Sequence, residues 1–311
     1  MNYIDVSLAK IEYAKEIHYK YWRYIIKRKL NGRWFTDTKP FSNITFVKHV
    51  DGIHSVVKAF LNNEDNLRKV LIGNPAELDS LKYLFKSKKQ KDSIRKICDY
   101  ESWDNYSFYN RYDLAKNLDI PTCPYCNRMY TKTVLGTNHE QITRPTFDHW
   151  FSQSDFPLFA VSFFNLIPSC NVCNSGIKGN KEFNISEHFH PYLNNPQIEK
   201  LDFRFSYDYK DLINFSFKVI ANNPLTEKSI EAFKIEEVYK AHEDEIKDLK
   251  KLKDIYSDKY LEILYNQILN RKVDREEIYR LAFGTYVDEA NFDRRPLSKM
   301  KKDILTELGI I

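Results

Sequence analysis

The chain has 311 residues, of which 42% are hydrophobic and 15% aromatic. This composition excludes an intrinsically disordered chain and predicts a globular protein with more than one structural unit. No apolar run is long enough to span a bilayer, and the first residues lack the apolar core of a signal peptide. We therefore expect a cytoplasmic protein without a membrane partner.

The net charge of +5 is modest, but its distribution along the chain is uneven. Residues 1–120 hold 22 Lys and Arg against 15 Asp and Glu. One cluster in this part consists of Lys86, Lys88, Lys89 and Lys91. Such a cluster can neutralise nucleic-acid phosphates, or it can be the solvated face of a helix. The sequence leaves both interpretations open.

The N-terminal part predicts helices. Within residues 8–30 apolar side chains recur every three or four positions, which is typical of an amphipathic helix. We expect it to end at Asn31-Gly32, and we expect further helix over residues 44–72 and 75–89. An aromatic segment over residues 101–118 is predicted to be a helix that packs on the following module. The recurring positions of the first helix are Ile11, Ala14, Ile17, Tyr21 and Ile25.

Four of the five cysteines form two Cys-x-x-Cys pairs separated by 43 intervening residues. Two such pairs can place four thiolates tetrahedrally around one Zn²⁺. The alternative is a chance clustering of small buried thiols. We predict one structural zinc ion and treat the fifth cysteine, Cys98, as a buried residue rather than a nucleophile. The four predicted zinc ligands are Cys123, Cys126, Cys170 and Cys173.

The segment between and around the cysteine pairs predicts short strands. Residues 128–134 and 141–148 are rich in β-branched and aromatic side chains, and a third strand is expected at 164–167. Ser169 is then expected to cap a helix that carries the last cysteine. Neighbouring strand residues face opposite ways, so Asp148-His149 must lie at the end of a strand if both side chains serve one site.

The C-terminal part predicts a hairpin followed by helices. Residues 201–209 and 212–220 alternate in polarity around Lys210-Asp211, as antiparallel strands do. One long apolar stripe over residues 235–256 predicts an amphipathic helix. Further helices are expected over 258–270 and 275–287, and Pro296 should precede the last one.

Polar residues in a characteristic order accompany the cysteines. Asp148-His149 lies between the two pairs, and two asparagines flank the second pair. The pattern resembles the motif of HNH endonucleases in its His-Asn-Asn form, with His149, Asn165 and Asn174 as the motif residues. The resemblance covers roughly residues 120–195 and implies the fold called ββα-metal.

The predicted elements and the resemblance together predict an α+β protein with three parts. Residues 1–115 would form a basic, mostly helical region, and residues 116–198 the zinc-stapled ββα-metal core. Residues 199–311 would form a β-hairpin and a second helical region. We can name no family for the first of these regions.

Phosphodiester hydrolysis needs an activated water, a cation and help for the leaving oxygen. A neutral His149 can take the proton of water, and the Asn165 amide oxygen is expected to accept from the other ring nitrogen. Asp148 and Asn174 offer oxygen ligands for one Mg²⁺ or Mn²⁺. Lys178, one helical turn after Asn174, is the candidate for charge stabilisation, with Lys181 as its substitute.

Several of these residues have structural alternatives. Asp148 could cap a turn, and Asn174 could cap a helix or bond a zinc thiolate. As a set in this order and spacing, they favour catalysis. A zinc-stapled nucleic-acid-binding module without catalysis would keep the cysteines but has no use for Asp148, His149 and Asn165 together.

The resemblance becomes narrower in the details of the motif. Cys-Pro-Tyr-Cys, Asp-His-Trp-Phe and Asn-Leu-Ile-Pro-Ser-Cys are similar to segments of the HNH nuclease subunits of Septu-type and retron-associated anti-phage systems. That similarity implies a DNA substrate and an ATPase partner subunit. A nuclease that cleaves RNA on the same fold is the alternative that the sequence cannot separate from a DNA nuclease.

Overall fold

Eleven α-helices and six strands can be assigned in the described part of the computed structural model. Short 3₁₀ turns and one π-helix connect them. None of the helices in this part of the chain is long and apolar enough to cross a membrane. The structure describes residues 1–32, 47–105, 108–179, 181–193, 200–209, 215–255, 263 and 274–311.

The N-terminal region is built around its first helix. Helix α1 (Ala9–Asn31) ends at Gly32, whose φ of 71° is readily adopted only by glycine, and the predicted helix and its stop are confirmed. The buried stripe of α1 packs against α2, α3 and α6. The helices that follow α1 are α2 (Ser55–Asn62), α3 (Glu64–Ile72), α4 (Pro75–Leu81), α5 (Lys88–Ile97) and α6 (Arg111–Leu118).

Several helix boundaries differ from the prediction. The single helix expected over 75–89 is wrong, because Ser87 and Gln90 form a capping box that starts a new helix, α5. The helix expected over 44–72 is two helices, since Asn63 caps α3, and its first residues lie outside the described ones. Of the segment 101–118, only its last part forms an α-helix, which is α6.

The strands of the described residues pair into three two-stranded antiparallel sheets. In the sheet that carries the candidate site, Asp148 lies opposite Ile167 and His149 opposite Leu166. The pairing of the two predicted C-terminal strands is confirmed, with Phe203 opposite Ala221, while the predicted turn at Lys210-Asp211 lies outside the described residues. The strands are β1 (Val134–Leu135), β2 (Gln141–Thr143), β3 (Thr146–His149), β4 (Leu166–Ser169), β5 (Phe203–Tyr209) and β6 (Phe215–Ala221).

Two predicted strands are shorter than expected. Within the segment 128–134, Tyr130 forms only an isolated antiparallel bridge with Thr122, and a regular strand begins at Val134. The segment 141–148 breaks at Arg144-Pro145, because proline has no N–H to donate. Ser169 does not cap a helix, since it is the last residue of β4.

Helices follow the hairpin to the end of the chain. The long helix predicted from residue 235 is wrong, because it breaks between Lys240 and Glu243. The predicted helix 258–270 lies outside the described residues except for residue 263, and the one over 275–287 ends at Phe283. The C-terminal helices are α7 (Pro224–Ala232), α8 (Ile235–Lys240), α9 (Glu243–Ile255), α10 (Arg275–Phe283) and α11 (Ser298–Glu307).

One hydrophobic cluster runs through all three predicted regions. The buried ring of His18 in α1 hydrogen-bonds the Val161 carbonyl at 2.8 Å and the Tyr109 hydroxyl at 3.2 Å. At the other end of the chain, the Leu297 N–H donates to the Asn127 carbonyl at 2.6 Å. The helical regions therefore hold the cysteine turns and strands from two sides. The division into regions 1–115, 116–198 and 199–311 stays a prediction.

Candidate metal centre and active site

The two cysteine pairs lie in turns that aim their sulfurs inward. In the first turn the Asn127 N–H donates to the Cys123 carbonyl at 2.7 Å, and the Arg128 N–H donates to Cys126 Sγ at 3.4 Å. In the second, the Cys173 N–H donates to Cys170 Sγ at 3.4 Å. Backbone N–H groups that donate to sulfur stabilise a thiolate, which is the form that binds metal.

The four sulfurs converge on one point. All four cysteines are buried, and their Sγ atoms lie within 4.8 Å of one another, with Cys126 and Cys170 at 3.9 Å. A tetrahedral zinc site with Zn–S bonds of about 2.3 Å needs S···S separations of about 3.8 Å. Hydrogen bonds within the cluster, those with Cys123 first, lower the pKa of Cys126 and Cys170 and raise that of Cys173, while burial raises the pKa of Cys123. The chemistry and spacing of these residues fit one zinc ion.

Cys98 takes no part in this cluster. It is buried at the end of α5, and burial raises the pKa of its thiol to about 12. A thiol with that pKa is protonated at neutral pH and is a poor nucleophile. The expectation that Cys98 is an inert buried residue is confirmed.

Asp148 lies in β3 and is almost completely enclosed, with 2% of its surface exposed. Its Oδ1 accepts from Lys178 Nζ at 2.9 Å, and its Oδ2 accepts from the Tyr125 hydroxyl at 2.6 Å. Lys178 also donates to the backbone carbonyl of His149 at 2.8 Å. Both carboxylate oxygens therefore have partners inside the protein, and one of these partners is a cation.

His149 is the last residue of β3, as the strand-end argument requires. Its Nε2 lies 2.9 Å from the Ala160 carbonyl, and the Tyr100 ring meets its ring edge-on at 4.6 Å. Because a carbonyl can only accept, the proton sits on Nε2 and the lone pair on Nδ1. Among the described residues, Nδ1 has no hydrogen-bond partner. Burial lowers the pKa of His149, so the imidazole is neutral at neutral pH.

The predicted contact between Asn165 and the His149 ring is wrong. The Asn165 side chain is fully buried, and its Oδ1 accepts from the Phe151 N–H at 2.6 Å. Its Nδ2 donates to the carbonyls of Phe151 at 3.1 Å and Phe159 at 3.0 Å. Asn165 thus closes the loop that carries Ala160, and Ala160, not Asn165, fixes the tautomer of His149.

The predicted lysines and the second asparagine have different surroundings. Lys178 ends the π-helix Val172–Lys178, and its side chain is 2% exposed, so its ammonium contacts Asp148 rather than an open surface. Lys181 Nζ instead donates to the Ala232 carbonyl at 3.1 Å. Asn174 lies half-buried in the same π-helix, and its side chain makes no hydrogen bond to any described residue.

The basic cluster at the start of α5 lies on a helix that contacts the loop that follows His149. Lys86, Lys88 and Lys89 are exposed, Lys91 is half-buried, and none of the four forms an ion pair within the described residues. Arg95 of the same helix donates to the Ser154 carbonyl at 2.8 Å, and α5 packs on the 3₁₀ turn Pro157–Phe159. The basic helix is therefore attached directly to the loop of the candidate site.

An open groove lies beside the residues that contact the His149 ring, although His149 itself does not line it. Its volume is about 260 Å³, and it is lined by the two residues that contact the imidazole, Tyr100 and Ala160. Its other walls include Arg95, Glu101 and Gln153. Three residues that contact Asp148 or His149 were not identified from the sequence, because each lies at least 11 positions from its partner along the chain. They are Tyr125, Tyr100 and Ala160.

Comparison of the chain with protein-family models, with curated proteins and with solved structures finds no match. The residues of the site and their geometry are therefore the basis for assigning a function.

Proposed function

We propose that the protein is a divalent-cation-dependent endonuclease of the HNH type that hydrolyses DNA. One observation carries the proposal: a neutral histidine, His149, is held at Nε2 with its Nδ1 lone pair unused, next to a carboxylate that already binds a cationic group. A histidine with one nitrogen fixed as donor and the other unused has the arrangement of a general base.

The residues have separate roles in this proposal. His149 Nδ1 takes the proton of the attacking water, and the Ala160 carbonyl keeps the imidazole in the required tautomer. Asp148 and Asn174 are the oxygen donors for one Mg²⁺ or Mn²⁺. When bound, the ion supplies positive charge to the phosphate in the transition state. The ion pair of Asp148 with the Lys178 ammonium is consistent with a carboxylate that binds a cation.

The substrate and the setting are part of the same proposal. The groove lined by Tyr100 and Ala160 and the exposed lysines of α5 offer a path for a polyanionic strand. The resemblance of the motif to Septu-type and retron-associated nucleases supports an effector role in anti-phage defence, with an ATPase subunit as partner. Co-purification of the chain with such an ATPase would test the partner.

A second candidate is a zinc-stapled nucleic-acid-binding module without catalysis. The observation that favours it is that both Asp148 oxygens already have protein partners. In that case Asp148 and Lys178 form a structural ion pair that fixes β3 to the π-helix. The two candidates differ in one measurable respect, which is whether the protein cleaves nucleic acid in a reaction that depends on His149.

The experiment is incubation of purified protein with supercoiled plasmid and with single-stranded RNA, each with and without Mg²⁺. Wild-type protein should convert the plasmid to nicked or linear DNA only when Mg²⁺ is present. His149→Ala should reduce the rate by about 10²- to 10⁴-fold while zinc content and DNA affinity stay unchanged. His54→Ala, a histidine outside the site at the start of α2, is the matched control and should cleave at the wild-type rate.

The outcomes separate the candidates. Cleavage of RNA but not of plasmid would assign the same site to an RNA nuclease. A His149→Ala protein that cuts as fast as wild type would contradict the assignment of the base. DNA binding without cleavage under any metal condition would leave the zinc-stapled binding module.

A further inference from the structure

The Lys178 ammonium is enclosed by groups that all attract a cation. It lies 2.9 Å from Asp148 Oδ1 and 2.8 Å from the His149 carbonyl, and 5.2 Å from the centre of the Phe183 ring. The side chains of Lys178 and Asp148 are each 2% exposed. Water therefore contributes little to the solvation of this carboxylate, and the ammonium supplies the positive charge that a buried carboxylate requires.

The second oxygen of this carboxylate, Asp148 Oδ2, is hydrogen-bonded by a residue of the first cysteine turn, Tyr125. Tyr125 lies between Cys123 and Cys126, is fully buried, and stacks on Phe233 with ring centres 4.2 Å apart. This packing aims its hydroxyl at Asp148 Oδ2, 2.6 Å away. The cysteine turn thus fixes the direction in which the Oδ1 atom points.

We propose that Lys178 occupies the place of the divalent cation on Asp148 and leaves when the cation binds, while Tyr125 positions the carboxylate in both states. This inference rests on the proposed function in one respect, namely that Asp148 is a cation ligand. A Mg²⁺ or Mn²⁺ ion lies about 2.1 Å from a ligand oxygen. An ion at that distance cannot share Oδ1 with an ammonium that approaches it from the same side, because the two positive charges repel each other.

The backbone around Lys178 has an unusual conformation. Lys178 is the last residue of a π-helix, a helix form that occurs often at functional sites. The next residue, Gly179, has φ 51° and ψ −129°, a combination available to glycine and costly for other residues. The lysine stem is flexible, so its ammonium can move without displacement of β3.

The test is Mn²⁺ affinity, measured by electron paramagnetic resonance on the zinc-loaded protein without nucleic acid. If Lys178 leaves Asp148 in at most a tenth of the molecules, the apparent Kd is at least about tenfold weaker than the intrinsic one. Lys178→Met and Lys178→Gln should therefore bind Mn²⁺ at least about tenfold more tightly than wild type. Tyr125→Phe should bind it about tenfold more weakly, as is usual when a partner of a metal-binding carboxylate is lost.

Matched controls separate these effects from general ones. Tyr239→Phe removes another fully buried hydroxyl, which donates to the Cys126 carbonyl at 2.5 Å and does not touch Asp148. Lys228→Met breaks an exposed ion pair with Glu187. Both should bind Mn²⁺ as wild type does. Zinc content and a thermal melt identify any variant that has not folded, and Lys178→Gln keeps the test valid if Lys178→Met does not fold.

Each outcome decides a point. Unchanged or weaker Mn²⁺ binding by the folded Lys178 variants overturns the displacement, and unchanged binding by Tyr125→Phe overturns the role of Tyr125. Tighter binding by the Lys178 variants in a protein that never cleaves DNA supports this inference and overturns the nuclease. Cleavage by wild type, together with Mn²⁺ binding that does not change in the Lys178 variants, supports the nuclease and overturns this inference. Absence of Mn²⁺ binding in wild type and in all variants overturns both.

Discussion

Replacement of Asn165 by alanine is expected to destabilise the protein strongly. The side chain is fully buried and makes three hydrogen bonds to the backbone of one loop, at 2.6, 3.1 and 3.0 Å. Alanine would leave one N–H and two carbonyls of Phe151 and Phe159 buried without these partners. At about 1–3 kcal/mol for each such group, and with some relief from water in the vacated space, we expect a loss of about 3–5 kcal/mol. That is a large part of the roughly 5–15 kcal/mol that stabilises a typical domain.

The assay is urea denaturation followed by circular dichroism, with cleavage measured on the same preparations. The control is Asn171→Ala, an exposed asparagine that makes no cap hydrogen bond and should change stability by less than about 0.5 kcal/mol. Cleavage by Asn165→Ala should also fall at temperatures where the protein stays folded, because the loop carrying Ala160 loses its hold on His149. An Asn165→Ala protein within 1 kcal/mol of wild type would refute the reasoning.

The zinc centre, the basic helix and one buried histidine each provide a further test. Cys126→Ser should yield protein that lacks zinc and does not fold, since such a site contributes on the order of 10 kcal/mol, and a folded, zinc-loaded variant in elemental analysis would contradict this. Replacement of Lys86, Lys88, Lys89 and Lys91 by glutamine should weaken DNA binding and lower its salt slope by up to about 0.9 per lysine. An unchanged slope would show that these lysines only face solvent. Burial lowers the pKa of His18 to about 4 from 6.5, so the unfolded state takes up the proton first as pH falls. Wild type should therefore lose about 3 kcal/mol of stability from this group between pH 6.5 and 4, and urea denaturation across that range should show a shallower loss for His18→Gln. Equal pH slopes for the two proteins would contradict the assignment.

Elements with a strong local signal could be predicted from the sequence. Helix α1 has a regular apolar stripe with a glycine stop, and the hairpin of β5 and β6 alternates over its whole length. The break between α8 and α9 could not be predicted in the same way. Ile235, Tyr239, Ile246 and Leu249 are all buried, so the stripe continues across the break although the helix does not. Periodicity identifies the buried face of a segment more reliably than its ends.

In the candidate site, too, features set by neighbouring residues could be predicted, and contacts between distant segments could not. The cysteines could be predicted because ligand type and spacing within each pair are local properties, and the four sulfurs do converge. The contacts of Asn165 and Lys178 could not, because each depends on how distant segments pack. Asn165 points to the loop at Phe151 instead of the His149 ring, and Lys178 points inward to a carboxylate 30 positions earlier in the chain.

Both groups that hold Asp148 come from segments that carry zinc ligands. Tyr125 lies inside the first Cys-x-x-Cys turn, and Lys178 ends the π-helix that contains Cys173. The four cysteines draw these two segments together, so they also fix the distance between the two partners of the carboxylate. A zinc ion at the cysteines would then act on the candidate site without any contact with substrate, since it determines where Asp148 points. The zinc site and the proposed divalent-cation site share no ligands. Loss of zinc should nevertheless weaken cation binding at Asp148, because the cysteines position both partners of that carboxylate.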